Sequence, residues 1–337
     1  MSKRYTFNFI YFNNSALSRG VALFVSLVLQ EILIIILFLL TQCHPIFAQT
    51  GFSSLSANSG ESDSLYREML SSVEGAISIT ASVRQNIRLF SQEFNAYGTY
   101  NELKSTELRG KVPSRFRLDM KVQTTNDTRD DKSFNSLTIV CDNTYNNIYR
   151  YFSVEGEKRL ERIEIKRVVE EIEKFGRNDI PTEVGSVFGL GGLAGMLREM
   201  RNRYDFNTVP LRTQIQEKNS AMSVWKIRGQ LKPEIVANLT GDGSVKKQTI
   251  PKHTPTTIDI YIGVEDRFPY RFDYFWTADG AESTDEPFAY LVFYNLILHA
   301  GNIPESVFDY RPSENIPEND VTNQVIYQIM QAGSVTK

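Results

Sequence analysis

Residues 77–89 read ISITASVRQNIRL. Ile77, Ile79, Ala81, Val83, Gln85, Ile87 and Leu89 alternate with Ser78, Thr80, Ser82, Arg84, Asn86 and Arg88. Successive side chains of an extended chain point to opposite faces, so this period of two predicts a long half-buried strand. Before it, Leu65, Met69, Leu70 and Val73 form one apolar stripe at helical spacing. They predict a helix from about 62 to 74, with Ser62 or Asp63 as its cap.

The same two-residue period recurs downstream. It predicts strands over 93–103, with Gly98 as a bulge or a close approach, and over 116–122, where Phe116, Leu118, Met120 and Val122 share a face. Further strands are expected over 136–141, 147–152, 160–165, 204–209, 212–217, 223–228, 256–262, 270–276 and 290–298. Helical patterns fall on 166–175, on a segment starting near Gly192, and on 320–331. About eleven strands, with helices at the start, middle and end, make an α+β chain. Strands of this length joined by hairpins close into a barrel or curve into a half-barrel. No βαβ alternation and no repeat is present.

Composition agrees. Aromatic residues make up 12% of the 337 residues, with 21 Phe and 16 Tyr, and such side chains pack well on pleated surfaces. The formal net charge of -3 gives no global field for nucleic acid, so no nucleic-acid partner is expected. Cys141 lies in an apolar strand and Cys43 in the N-terminal segment, so the mature chain has no internal disulfide to form and Cys141 is expected to be a buried thiol.

Residues 21–40, VALFVSLVLQEILIIILFLL, follow Lys3, Arg4 and Arg19 and precede Pro45-Ile46-Phe47-Ala48. Basic residues, an apolar run and a small residue at the cut site describe an export signal ending at Ala48. An uncleaved anchor is also long enough, though Gln30-Glu31 is costly inside a bilayer. Leu40-Thr41-Gln42-Cys43 has a lipobox outline, with Gln42 too large for its position. All three readings put the mature chain outside the cytoplasm, in the periplasm or anchored to the inner membrane by residues 21–40. The expected organisation is a signal or anchor over 1–48, a Ser/Gly-rich flexible leader over 49–61, and one half-barrel domain over 62–337.

No catalytic constellation emerges. His253 and His299 lack the paired spacing of a metal site. Gly189-x-Gly191-x-x-Ala194 matches a dinucleotide fingerprint only on paper, because no buried strand precedes it. The acidic loop Asn126–Asp131 lacks the central Gly and terminal Glu of a calcium loop. The chain is therefore expected not to be an enzyme and to use no metal and no cofactor.

The remaining signal is distributed. Ile258, Ile260 and Ile262 share one strand face; Tyr270, Phe272, Tyr274 and Trp276 share a face of the next. With Phe116, Leu118 and Met120, these are candidates for the wall of a concave apolar cavity. Leu190, Leu193, Met196, Leu197 and Met200 form a glycine-flanked stripe suited to a lid, since methionine adapts to changing partners.

Several segments carry a resemblance: ITASVRQNIRLF, the GTY at Gly98–Tyr100, PSRFRLDM at 113–120 and DNTYNNIYRYF at 142–152. So do GLGGLAGML at 189–197, IDIYIGVEDRFPYRFDYFW at 258–276 and FDYRP at 308–312. In this order they resemble the LolA-like superfamily of envelope lipoprotein carriers. The resemblance implies an incomplete antiparallel β-barrel with helices covering its concave face and a hydrophobic cavity for acyl chains. The family's early-strand arginine would fall on Arg84 or Arg88. Two functions fit: a periplasmic carrier for the acyl chains of lipids or lipoproteins, with inner- or outer-membrane proteins as handover partners, or an envelope sensor or scaffold that binds a protein with the same half-barrel.

Overall fold

The alternation at 77–89 becomes β1 (Ser78–Leu89), paired antiparallel with β2 (Gln92–Leu103) and, across the chain, with β12 (Ala289–Leu298). This computed structural model describes residues 60–89, 92–104, 115–124, 135–142, 147–154, 157–174, 192–217, 220–233, 235–236, 255–276, 286–299, 303–310 and 316–327. The export segment and residues 49–59 of the leader lie outside them, as do Leu190, His253, the acidic loop and both glycines of the paper fingerprint; Glu61, expected in the leader, opens the first helix. Among the described residues, no helix is long and apolar enough to cross a membrane.

β2 continues into a meander: β3 (Arg115–Thr124), β4 (Asn135–Asp142), β5 (Asn147–Val154) and β6 (Glu157–Glu164). On the other side of β1 and β12 stand β11 (Pro269–Phe275), β10 (Thr257–Gly263) and β9 (Ser220–Leu231). The far side of β9 is shared by β7 (Tyr204–Asp205) and β8 (Leu211–Glu217), and β6 is flanked by β13 (Glu318–Asp320). The result is one open thirteen-stranded sheet, antiparallel except for the β13–β6 pair. It does not close on itself, as an incomplete barrel requires.

Among the described residues the longer helices are α1 (Glu61–Gly75), α2 (Ile165–Lys174) and α3 (Gly192–Arg203). Leu65, Tyr66, Met69 and Val73 of α1 are buried, and so are Leu193, Leu197 and Met200 of α3. Both helices enter one core with Ile79, Ala81, Val83 and Ile87 of β1, so the odd-numbered β1 side chains face the helices. Tyr66 ties the layers together: its ring lies 4.4 Å from Phe206 and its hydroxyl donates to the Leu197 carbonyl at 2.5 Å. Arg198 pairs with Glu74 at 2.7 Å across the helix pair.

The opposite face of β9–β12 is polar but locally satisfied. Asp259 is fully buried between Lys226 at 2.7 Å and Arg228, which grips both carboxylate oxygens at 2.6 and 2.7 Å. Next to it, Asp273 accepts from Arg271 at 2.6 Å and from the Tyr261 hydroxyl at 3.0 Å. Burial pushes the Asp273 carboxyl up, against the pull of these two partners.

Several expectations change in detail. The stretch at 204–209 pairs only through Tyr204–Asp205; beyond it Phe206 is buried against Tyr66 and Thr208 reaches the Arg228 carbonyl through its hydroxyl at 3.1 Å. The helix expected from 320 begins at 322, since Glu318–Asp320 pair with Leu160–Arg162 instead. The Thr322 hydroxyl and the Thr322 N–H, the latter at 2.9 Å, together hold the Asp320 carboxyl below the usual range. Helix α1 starts after Gly60 without a side-chain cap, and Ser62 spends its hydroxyl on the Thr208 carbonyl at 2.5 Å. Ile77 precedes β1 and is 57% exposed. Gly98 is a close approach and not a bulge: the register runs through it unbroken on both sides. A Cβ there would lie 1.7 Å from the Asp119 carbonyl oxygen.

Candidate functional site: the inner wall of the sheet

The registers of neighbouring strands align their apolar positions into rows across the sheet. One row reads Ile79, Glu102, Phe116, Cys141, Ile148 and Ile163; the next reads Ala81, Tyr100, Leu118, Ile139, Arg150 and Glu161. Side chains opposite one another across a pair project from the same face. On the other half, Ile258 and Ile260 stand opposite Tyr274 and Phe272, and these stand opposite Ala289 and Leu291. All these rows lie on the face that α1 and α3 cover.

The predicted wall residues therefore meet in one core. Ile258, Ile260, Ile262 and Phe272 are fully buried, and Phe116, Met120 and Tyr274 nearly so. Leu118 and Trp276 are half-buried against the same core. Of the predicted lid stripe, Leu193, Leu197 and Met200 are buried and Met196 is partly so. Helix α3 thus occupies part of the wall in this structure.

What attaches α3 to the wall was not apparent from the sequence. Glu102 is fully buried on the inner face. Its Oε2 accepts from the Tyr100 hydroxyl at 2.6 Å and from the Leu193 N–H at 3.1 Å, while that N–H also reaches the Tyr100 hydroxyl at 2.9 Å. A carboxylate at a helix N-terminus satisfies orphan donors and meets the positive end of the helix dipole. Gly192 precedes with φ of 57°, and a Cβ there would come within 2.6 Å of the Glu102 carboxylate. The close seat of the carboxylate requires glycine on both counts. Burial and the Glu102 charge together raise the Tyr100 hydroxyl well above its usual pKa, so it remains a donor.

A second polar group interrupts the wall at its β5–β6 margin. Glu161, with a side chain 6% exposed, pairs with Arg150 at 3.0 Å and with Arg159 at 2.5 Å. The sequence did carry this signal: in Ile148-x-Arg150-x-Phe152 an arginine sits at an apolar register. Arg84 and Arg88 behave differently. Both are exposed on the outer face, where Arg84 lies over the Tyr290 ring and Arg88 pairs with Glu286. Neither arginine enters the covered side.

Cys141 lies in the Glu102 row and is fully buried. Burial, reinforced by Asp142 and Glu102, pushes its thiol up to about 12. Thiolates are the reactive form, so the native protein should resist iodoacetamide at pH 8 at this position, while urea-unfolded protein is alkylated. Peptide mapping by mass spectrometry checks this; rapid native labelling of the Cys141 peptide would show that the row is open to solvent. His299 accepts from the Ile77 N–H through Nδ1 at 3.4 Å. Among the described residues no three His, Cys, Asp or Glu are grouped to hold a metal ion.

No protein-family model matches the chain, and no curated protein does either. Solved structures do. The chain is similar to a DUF1329 family protein from Desulfovibrio piger, at 12% identity and a TM-score of 0.31, over 74% of this chain and 98% of that one. It is similar to a protein domain assigned to outer membrane lipoprotein sorting in Vibrio parahaemolyticus, at 10% identity and 0.28, over 72% and 94%. It is also similar to a LolA superfamily protein from Nitrosomonas europaea, at 9% identity and 0.23, over 74% and 97%. At these identities the chemistry of the site rests on this chain's own residues.

Proposed function

We propose that this chain is an exported, non-catalytic carrier that holds the acyl chains of lipids or lipoproteins against the inner wall, with α3 as a displaceable cover. The observation that carries the reading is that the wall's apolar rows are covered in part by a twelve-residue helix contributing three large buried apolar side chains, Leu193, Leu197 and Met200. Those three are worth about 1.5–3 kcal/mol each in burial, so about 5–9 kcal/mol together. Each acyl methylene contributes about 0.8 kcal/mol, so roughly six to eleven of them match the helix face. Exchange of helix for acyl chain is then close to balanced, as a carrier that loads and unloads requires. A wall sealed by a long, fully apolar helix would not exchange.

The apolar run at 21–40 supports export, and cargo of this kind would be received from and passed to proteins of the inner or outer membrane. The protein purified from cell envelopes should carry adducts of acyl-chain mass in native mass spectrometry, and the delipidated protein should bind a fluorescent fatty acid saturably. Absence of both adduct and saturable binding would overturn the carrier reading.

A further inference from the structure

On the inner face, between Ile148 and Phe152, stands Arg150, its side chain 17% exposed. Its guanidinium offers five N–H donors in a fixed fork. Glu161 engages it at one contact of 3.0 Å, and the Arg150 Nε–H, buried, makes no hydrogen bond among the described residues. The same carboxylate is shared with Arg159, whose side chain is 45% exposed and reaches toward solvent. Two guanidiniums therefore share one carboxylate. Burial pulls the Arg150 pKa down, Glu161 opposes that pull and Arg159 adds to it. The buried Arg150–Glu161 pair is neutral by itself; the solvent-side Arg159 adds a local net charge of +1, and the unspent Nε–H of Arg150 adds a donor, which an anion can complete together.

Position adds to the chemistry. Arg150 and Glu161 end the row that runs inward through Ile139, half-buried Leu118 and Tyr100. The cationic pair thus sits near one margin of the sheet and the apolar wall begins beside it. That is the layout of an amphiphile, with its head at the rim and its chain across the strands.

We infer that the ligand is an amphiphile with an anionic head group, carboxylate or phosphate, whose head pairs with Arg150 and Arg159 while its chain lies along the inner wall. This rests on the carrier reading and narrows its ligand class. A neutral or cationic head would leave the guanidinium excess unmet, while a planar oxyanion can accept two parallel N–H bonds from one guanidinium.

The test uses the full purified protein and displacement of the neutral probe N-phenyl-1-naphthylamine by dodecanoate, dodecyl phosphate and dodecanol. The chains are identical, so differences report the head. At least one anion should bind about ten-fold or more tighter than dodecanol, as expected for a charge-assisted hydrogen bond. Whichever anion is tighter separates a fatty-acid head from a phosphate head. Arg150→Met should erase the preference while leaving dodecanol within about two-fold. Where Arg150→Met strands Glu161 and fails to fold, Arg150→Met with Glu161→Gln removes the charge together with its partner. Equal affinities of anions and dodecanol in the unaltered protein, or an undiminished preference in either folded variant, would overturn the inference and leave the carrier standing. If none of the three ligands displaces the probe, the carrier reading falls and the inference with it.

Discussion

Replacement of Gly98 with alanine is expected to destabilise the protein by about 3 kcal/mol or more, at the upper end of overpacking costs. The added methyl carbon would sit 1.7 Å from the Asp119 carbonyl oxygen and 2.7 Å from its carbonyl carbon. Both are backbone atoms of β3, so no rotamer change relieves the clash and the two strands must separate. β2 and β3 lie in the interior of the sheet, each hydrogen-bonded on both edges, so separation spreads to their neighbours. The position has no left-handed backbone, and the effect is wholly one of space. Gly75→Ala is the control: a Cβ there meets nothing within 4 Å at the end of α1, and alanine should be neutral or mildly stabilising. Urea titration followed by circular dichroism measures both. An unchanged midpoint for Gly98→Ala would show that β2 and β3 do not approach as closely as described.

Glu102→Ala is the second large effect, at about 2–4 kcal/mol, most of it expressed as release of α3 rather than as global unfolding. The alanine leaves the buried Tyr100 hydroxyl without its acceptor and weakens the seat of the Leu193 N–H, each a loss of about 1–3 kcal/mol. It also removes a negative charge from the start of α3, worth a further 0.3–1 kcal/mol or roughly that. Against this stands the relief of a buried carboxylate whose Oε1 makes no hydrogen bond among the described residues. That relief keeps the net figure below the simple sum. Amide exchange across 193–200 should accelerate sharply while β1 and β2 remain protected, and uptake of a fluorescent fatty acid should become faster. Glu102→Gln keeps volume and an acceptor and should show a fraction of each change. Unaltered protection of α3 in Glu102→Ala would mean that its apolar face alone holds it down.

The amphiphilic stripes and two-residue alternations located most elements from the residues themselves. α1, α2 and α3 start within about a residue of the expected 62, 166 and 192, and twelve of the thirteen strands overlap segments where strands were expected. The thirteenth, Glu318–Asp320, has three exposed residues and no apolar signal; it exists because the margin of β6 offers unpaired donors and acceptors to the returning chain. Tyr290–Leu298 shows another limit. The register slips between Thr80 and Ser82 against Ile297 and Tyr294, where Asn295 adopts φ of 51°. One extra residue flips the parity, so Leu298 pairs with inward Ile79 while Ile297 is 55% exposed. A local pattern cannot report this, because the slip is defined by the strand opposite.

The wall residues were identified because their aromatic and branched side chains repeat at the period of a strand, a property each segment carries within itself. Period alone set that Ile258, Ile260 and Ile262 share one face, and apolarity set that the face is buried. Glu102 and Arg150 acquired their roles only in the assembled sheet. A carboxylate becomes a helix anchor when the N-terminus of α3, some ninety residues away in sequence, comes to rest on it. An arginine keeps an unspent buried donor when cross-strand register makes it share one glutamate with a second arginine. The physical reason is range: hydrophobic periodicity is summed along a short stretch of chain, whereas the meaning of a charge depends on which distant groups share its low-dielectric surroundings.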